Sequence, residues 1–459
     1  MTNVKHAANS ADAFVVDAVE PNTRPRLGAS VASIGVDLRL SITRLESYFF
    51  AQWQSELVDL LVVAAAVEYC DIVKRRPNLG WARAFDVRVA VHDPQKWNSA
   101  LVRSALEETL NFLTGDVWAF SFDARGAAMQ PVPQRSLDLD TGARAIVPYS
   151  DGLDSRAVAA LIEHEEHGGL VRVRLGAGGM DRSRGRRRVP FTTVPYEVHI
   201  PKRLRRESTA RSRGFKFAVI TGIAARLANI NRVVVTESGQ GALGPVIAVT
   251  GHAYPDYRVH PSFTNRIERL FEVLTGARIH YEFPRIWSTK GETISDASRL
   301  SPGPTWHDTR SCWQGSRQVS VAGSRRQCGI CAACLLRRMS MHAAGLVEAS
   351  DVYIWESLSV SEMREGATAG FTAFTPALEQ YAIAGILHLD HLAALARSPL
   401  HIRRLRQAAR EIALALGQDA RAVEEKLVGL LERHRSEWLA FLNLLGPKSF
   451  VANLASVEA

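Results

Sequence analysis

The sequence predicts an α/β protein with a parallel-sheet core, an α/β segment ahead of that core and a helical segment behind it. Three observations carry this reading. Short β-branched apolar runs at 145–149, 171–175 and 232–236 alternate with helical or loop segments, the pattern of βαβ units in a parallel sheet. Ahead of them helical and strand periods are mixed. From Ser350 onward the period is almost purely helical.

In order along the chain, residues 1–30 are polar and Ala-rich, carry Pro21 and Pro25, and are expected to be an unstructured tail. An accessory α/β domain is expected over 31–140. It holds a helical stretch over 44–75, alternation at Phe85, Val87, Val89 and Val91, a helix over 97–113, and alternation again at Trp118, Phe120 and Phe122. Pro131, Pro133 and the polar stretch to Gly142 mark a linker. The core is expected over 141–348, its first strand turning into a helix near Ser155. A helical domain over 349–459 follows, with Ile386, Leu389, Leu392 and Leu395 on one stripe and Val423, Leu427, Leu430 and Leu431 on another.

The chain has 56 Lys and Arg against 47 Asp and Glu, a net charge of +9, and the excess is focal. Residues 172–216 hold 14 basic and 3 acidic residues, so the remainder is close to neutral. Such a segment suits a polyphosphate site, a nucleic-acid groove or a solvated charged loop. The longest apolar run, 57–67, is broken by Asp59 and falls short of the ~20 residues of a membrane span. The N-terminus lacks the basic, apolar and small-residue regions of a secretory signal, and a cytoplasmic address is expected.

Four of the five cysteines, Cys312, Cys328, Cys331 and Cys334, fall within 23 residues, and Cys70 stands alone. The C-x2-C-x2-C spacing in a large chain reads as metal ligation rather than a disulfide framework. Four thiolates close a tetrahedral zinc shell with no open position, which is a structural site; an iron–sulfur cluster takes the same ligands. Cys70 lies in the apolar period around Val67 and Ile72 and is expected to be buried.

The turn after the first core strand reads Ser150, Asp151, Gly152, Leu153, Asp154, Ser155. A strand opening through small residues onto a helix N-terminus offers backbone N–H groups to an anion. Its bland alternative is a Ser/Asp-capped helix start; Asp154 and Ser155 are expected at an exposed loop and helix start, where loss of either costs only ~1 kcal/mol of stability. The turn is neither the G-x-x-x-x-G-K-[ST] loop nor the G-x-G-x-x-G fingerprint. It resembles the S-G-G-x-D-S pyrophosphate loop of the PP-loop ATPases. Further matches follow in order: Ala210-Arg211-Ser212, Tyr254-Pro255-Asp256-Tyr257-Arg258, Thr289-Lys290-Gly291-Glu292, Thr309-Arg310-Ser311-Cys312, and the run from Cys328-Gly329-Ile330-Cys331 through Cys334 to Arg337. Together, over about 145–346, they resemble 7-cyano-7-deazaguanine synthase, the QueC branch of that superfamily.

The resemblance implies an adenine nucleotide alpha hydrolase-like fold. It also implies that Ser150, Asp151, Gly152, Leu153, Asp154 and Ser155 hold ATP, that Lys290, Asp154 and Arg211 serve catalysis, and that Asp256 and Arg258 contact substrate. ATP, Mg²⁺ and structural Zn²⁺ are the implied cofactors. The implied reaction adenylates the carboxylate of 7-carboxy-7-deazaguanine or a related deazapurine, and ammonia or a protein amine then displaces AMP to give an amide or, after a second activation, a nitrile. The family enzyme is about half this length. With its added segments the chain resembles the long QueC-like proteins of anti-phage systems, such as the QatC proteins, so partners from a defence operon are implied and no membrane is.

Asp151 departs from the family loop, replacing a glycine with a carboxylate beside the pyrophosphate position. It is expected to turn outward and pair with Arg156 or an arginine of the 182–188 run. Two other readings stand beside the synthetase: a PP-loop RNA-modifying enzyme using the basic segment, and a catalytically weakened nucleotide-binding subunit of a defence complex.

Overall fold

The computed structural model describes residues 13–40, 54–77, 80–126, 142–150, 152–175, 191–194, 196–207, 211–249, 254–300, 303–314, 319–321 and 323–455. The chain divides into two compact units: one holds residues up to Pro148 together with 168–235 and 256–282, the other holds 149–167, 236–255 and 283–459. Asp151, His252, the 182–188 arginines and most of the 131–142 linker lie outside the described residues.

The first unit contains two parallel sheets. Strands β1 (Phe14–Val19), β2 (Ser30–Ser33), β4 (Ala84–Val91) and β5 (Val117–Ala124) form one, in the order β2-β1-β4-β5. Strand β3 (Leu38–Leu40) pairs antiparallel with β9 (Tyr196–Val198). The other parallel sheet joins β6 (Ala145–Pro148), β7 (Leu170–Leu175), β8 (Phe191–Val194), β10 (Arg232–Val234) and β11 (His280–Glu282) in the order β11-β10-β6-β7-β8. The mixed α/β expectation with parallel sheets is therefore met, and the three expected core strands are β6, β7 and β10. The order runs one way from β6 to β8 and the other way from β10 to β11. Such a reversal is the topological switch point where ligands bind in open α/β sheets. The two chain segments that leave the sheet there, after Pro148 and after Val235, both pass into the second unit.

The tail expectation needs correction, because β1 lies within residues 1–30. The signal was hidden by Asp17, a carboxylate with 0% exposure in the middle of the strand. Arg26 and Arg88 reach it at 2.7 and 2.6 Å, and burial, which opposes its charge, is outweighed so that its pKa lies below the usual value. Strand β5 was legible because one face is buried: Trp118, Phe120 and Phe122 stack along it with centroids 6.0 and 5.9 Å apart. Cys70 is buried on the Ser55–Val73 helix, as expected.

The second unit is mainly helical. Its principal helices are Leu153–Glu165, Lys290–Ser298, Ala332–Ala343, Pro376–Leu395, Ile402–Leu416 and Ala420–Leu445. One core cluster joins Cys328, Cys331, Cys334, Leu335, Trp355, Ile386, Leu389 and Trp438. Residues 350–371 are not the helix that the period suggested. Their backbone pairs with the cysteine segment, Ile354 N–H to Gln327 O at 2.7 Å and Trp355 N–H to Cys328 O at 3.0 Å. No described helix is long and apolar enough to cross a membrane.

Candidate functional site

In the second unit, the Ser150–Ser155 turn is held by its own hydroxyls. Ser155, 4% exposed, donates from Oγ to Ser150 O at 2.9 Å and accepts from Ser150 N–H at 3.2 Å, while Gly152 N–H donates to Ser150 Oγ at 3.1 Å. A Cβ on Gly152 would lie 2.8 Å from Ser150 Oγ, so a larger residue there would have to displace the hydroxyl that accepts from Gly152 N–H. Gly152 is also the N-cap of the Leu153–Glu165 helix, with no side-chain cap bond. This corrects the capped-start alternative, since Ser155 braces the turn from inside the first helical turn and Asp154 is not a cap. Arg156, one expected partner of Asp151, bonds Asp308 and, at 2.9 Å, Thr305 O.

Asp154 instead meets Lys290. Lys290 Nζ donates to Asp154 Oδ2 at 2.7 Å, and Lys290 is 6% exposed. Burial opposes the ammonium charge, but the carboxylates of Asp154 and Glu237 hold its pKa above the ordinary value. Asp154 Oδ1 is buried without a hydrogen-bond partner. The T-K-x-E segment is a capping box: Thr289 Oγ1 accepts from Glu292 N–H at 3.0 Å, and Glu292 Oε2 accepts from Thr289 N–H at 2.8 Å. It fixes Lys290 as the first residue of the Lys290–Ser298 helix.

Three residues against this helix start were absent from the sequence reading: Gln240, His434 and Glu437. Gln240 Oε1 accepts from Lys290 N–H at 2.7 Å, its amide nitrogen lies 2.8 Å from His434 Nδ1, and Glu437 accepts from the Thr289 hydroxyl. A signal for His434 existed, since it continues the Leu427, Leu430 and Leu431 stripe toward Trp438 and Phe441, where a polar residue needs a partner. Burial pushes the Glu437 carboxyl up to about 7, and nearby Glu292 adds to the rise; Thr289, Gln240 and Arg433 oppose it. An acid with a raised folded-state pKa holds a proton that the unfolded chain, near 4.5, has lost. Stability should therefore fall as pH rises from about 4.5 to 7, by up to ~1.4 kcal/mol per pH unit. Denaturant melts of wild type and Glu437→Gln at pH 5 and 7 check this: the substitution should flatten the slope, and parallel profiles would assign it to other groups.

The four expected metal ligands come together. Their sulfur atoms all lie within 4.8 Å of one another, and Cys328 Sγ and Cys334 Sγ are 3.7 Å apart. Zn–S bonds of about 2.3 Å in a tetrahedron put sulfurs roughly 3.8 Å apart, so the cluster suits zinc. Backbone N–H groups of Cys328 and Cys331 point at Cys312 Sγ and Cys328 Sγ, at 3.2 and 3.3 Å, as donors to thiolates do. A metal-loaded protein should release zinc on Cys331→Ser substitution, read by elemental analysis; an unchanged zinc content would remove Cys331 from the ligand set.

Arg211, Asp256 and Arg258 lie in the first unit and form a group of their own. Asp256 accepts from Arg258 Nε at 2.8 Å and lies 3.9 Å from Arg211. Burial opposes its charge, but Arg258 and Arg211 hold its carboxyl below the usual range. The Arg211 guanidinium sits 4.8 Å from the Trp81 ring centroid, and burial together with Arg258 and Arg76 lowers its pKa. Arg213 is shifted the same way, by burial and Arg258. Asp71 and Glu68 also act on Arg211 and Arg213, so these arginines are partly balanced, and their planar guanidinium groups suit a carboxylate or phosphate.

Within the second unit, the helix start at Gly152 with no side-chain cap bond and the buried Lys290–Asp154 pair define a candidate phosphate site. Residues 223–345 match the family described as Queuosine biosynthesis protein QueC, so this part of the chain is QueC-like. The match spans Asp256, Arg258, Lys290 and the four cysteines; the Ser150–Ser155 turn and Arg211 lie outside it. No curated protein and no solved structure matches the chain.

Proposed function

We propose that the protein is an ATP-dependent synthetase of the deazaguanine-related type, which adenylates a carboxylate and passes the acyl group to an amine. The observation that carries this reading is the Lys290–Asp154 pair beside the uncapped start of the Leu153–Glu165 helix. The first-turn N–H groups and the helix dipole would receive the pyrophosphate end of ATP. Lys290, held protonated, would stabilise charge growing on the phosphate oxygens as the carboxylate attacks the α-phosphorus and pyrophosphate leaves. Displacement of this kind needs positioned positive charge and no protein nucleophile. The orphaned Asp154 Oδ1 fits Mg²⁺, which when bound would neutralise phosphate charge. Arg211, Asp256 and Arg258 supply charge suited to an anionic substrate group. Cys312, Cys328, Cys331 and Cys334 would hold zinc as a structural brace.

The substrate we propose is 7-carboxy-7-deazaguanine or a related deazapurine carboxylate, with ammonia or a protein amine as acceptor, in a defence setting like that of the QatC proteins. The RNA-modifying alternative wants a reactive thiol outside the zinc set. Cys70, at 0% exposure and with its thiol pushed far up by burial, does not supply one. The deciding experiment incubates zinc-loaded protein with ATP, Mg²⁺, ammonium and candidate carboxylates and measures AMP. Carboxylate-dependent AMP release supports the synthetase, and ATP binding with no AMP formed under any condition favours the binding-subunit reading.

A further inference from the structure

We propose that the Ala420–Leu445 helix positions Lys290 through a buried relay from His434 to Gln240 to the Lys290 backbone, making His434 and Gln240 positioning residues of the phosphate site. The inference rests on the reading of Lys290 given above. It starts from His434, which is 0% exposed and has both ring nitrogens engaged. Nε2 lies 2.9 Å from Leu389 O, a carbonyl that can only accept, so the ring proton sits on Nε2 and Nδ1 is an acceptor. The partner of Nδ1 at 2.8 Å must then be a donor, which places the Gln240 NH₂ there and within 3.2 Å of Glu437 Oε2. The amide oxygen is left facing the other way, onto Lys290 N–H at 2.7 Å. Burial pushes His434 down to about 4, so this tautomer persists at neutral pH.

The relay removes a degree of freedom that helix starts normally keep. The N–H of a first helical residue has no partner within the helix and usually takes water or an anion. Here Gln240 takes it, and Glu437 takes the hydroxyl of Thr289, the residue before. Space is closed as well: a Cβ on Gly291 would lie 2.8 Å from both Ala343 Cβ and Glu437 Oε1. The relay thus fixes the backbone position from which Lys290 reaches Nζ to Asp154. Gln240, His434 and Glu437 are linked through hydrogen bonds to a helix start that lies at least 49 residues from each of them in sequence.

The test uses the full chain and two readouts. The first is the rate at which an acetylating N-hydroxysuccinimide ester labels Lys290, followed by peptide mass spectrometry with Lys216 and Lys426 as internal controls. The second is kcat and KM for ATP. Losing a buried hydrogen bond in the relay should raise Lys290 labelling in His434→Leu by about tenfold and lower kcat by about tenfold, with KM little changed. His434→Asn keeps an acceptor near the Nδ1 position and should recover most of both. Gln240→Met, of similar bulk, should repeat the His434→Leu result and decides the matter if that variant does not fold. Unchanged Lys290 labelling in folded His434→Leu or Gln240→Met, or a His434→Asn variant as impaired as His434→Leu, overturns the proposal. If the wild type releases no AMP, the synthetase reading falls while the labelling still decides the relay.

Discussion

Lys290→Met is expected to lower AMP formation by roughly 10²- to 10³-fold, the range for removing one preorganised charge from a transition state. Methionine keeps most of the bulk and removes the ammonium, the donor to Asp154 Oδ2. The carboxylate is then left without its cation, so some stability is lost too. The companion variant Asp154→Ala separates the effects, because it strands a positive charge on a residue only 6% exposed. Breaking a buried pair this way costs about 3 kcal/mol or more, which corrects the ~1 kcal/mol expected of Asp154 as an exposed helix-start residue. Thermal melts and AMP assays on both proteins decide the point. Turnover in Lys290→Met within threefold of wild type would take Lys290 out of the chemistry.

The second large effect is expected at Arg337, the arginine that closes the cysteine motif. It is 0% exposed, donates to Glu348 at 2.6 and 3.0 Å, to Thr309 Oγ1 at 2.8 Å and to Trp306 O at 3.1 Å. Three groups from two chain segments thus depend on one planar cation. Arg337→Met leaves Glu348 with Tyr353 alone, and a loss of about 3–5 kcal/mol is expected. Arg337→Lys should not restore it, because a single ammonium cannot reproduce the guanidinium fork. Urea unfolding followed by tryptophan fluorescence measures this, and a Lys variant as stable as wild type would show that charge alone suffices.

How much of this was open to sequence reading differs from place to place. The cysteines, the three core strands and the helical third segment were legible because each is a local pattern: a spacing, a β-branched run, a stripe. Lys290 and Asp154 were legible as members of motifs, but their pairing was not, since they are 136 positions apart and neither local context names the other. Strand β1 was lost to the buried Asp17, whose partners are an arginine 9 residues later and another 71 residues later. His434 and Glu437 lie in the helical extension, outside every motif, and were hidden because their role depends on which helix start they reach.

The chain passes between its two units five times, at 148/149, 167/168, 235/236, 255/256 and 282/283. This has a consequence for synthesis. A ribosome releases the Ser150–Ser155 turn and its helix long before the rest of their unit, and Asp154 leaves 136 residues ahead of the lysine it binds. At ~5–20 residues per second, that interval is on the order of ten seconds, during which a carboxylate and an apolar helix face lack their destination. The first unit, by contrast, can close once residue 282 has emerged, with the 149–167 and 236–255 segments looped out of it. Vectorial folding should therefore proceed in two stages, and slowing translation just after residue 282 should prolong exposure of those two loops to proteases without altering the finished protein.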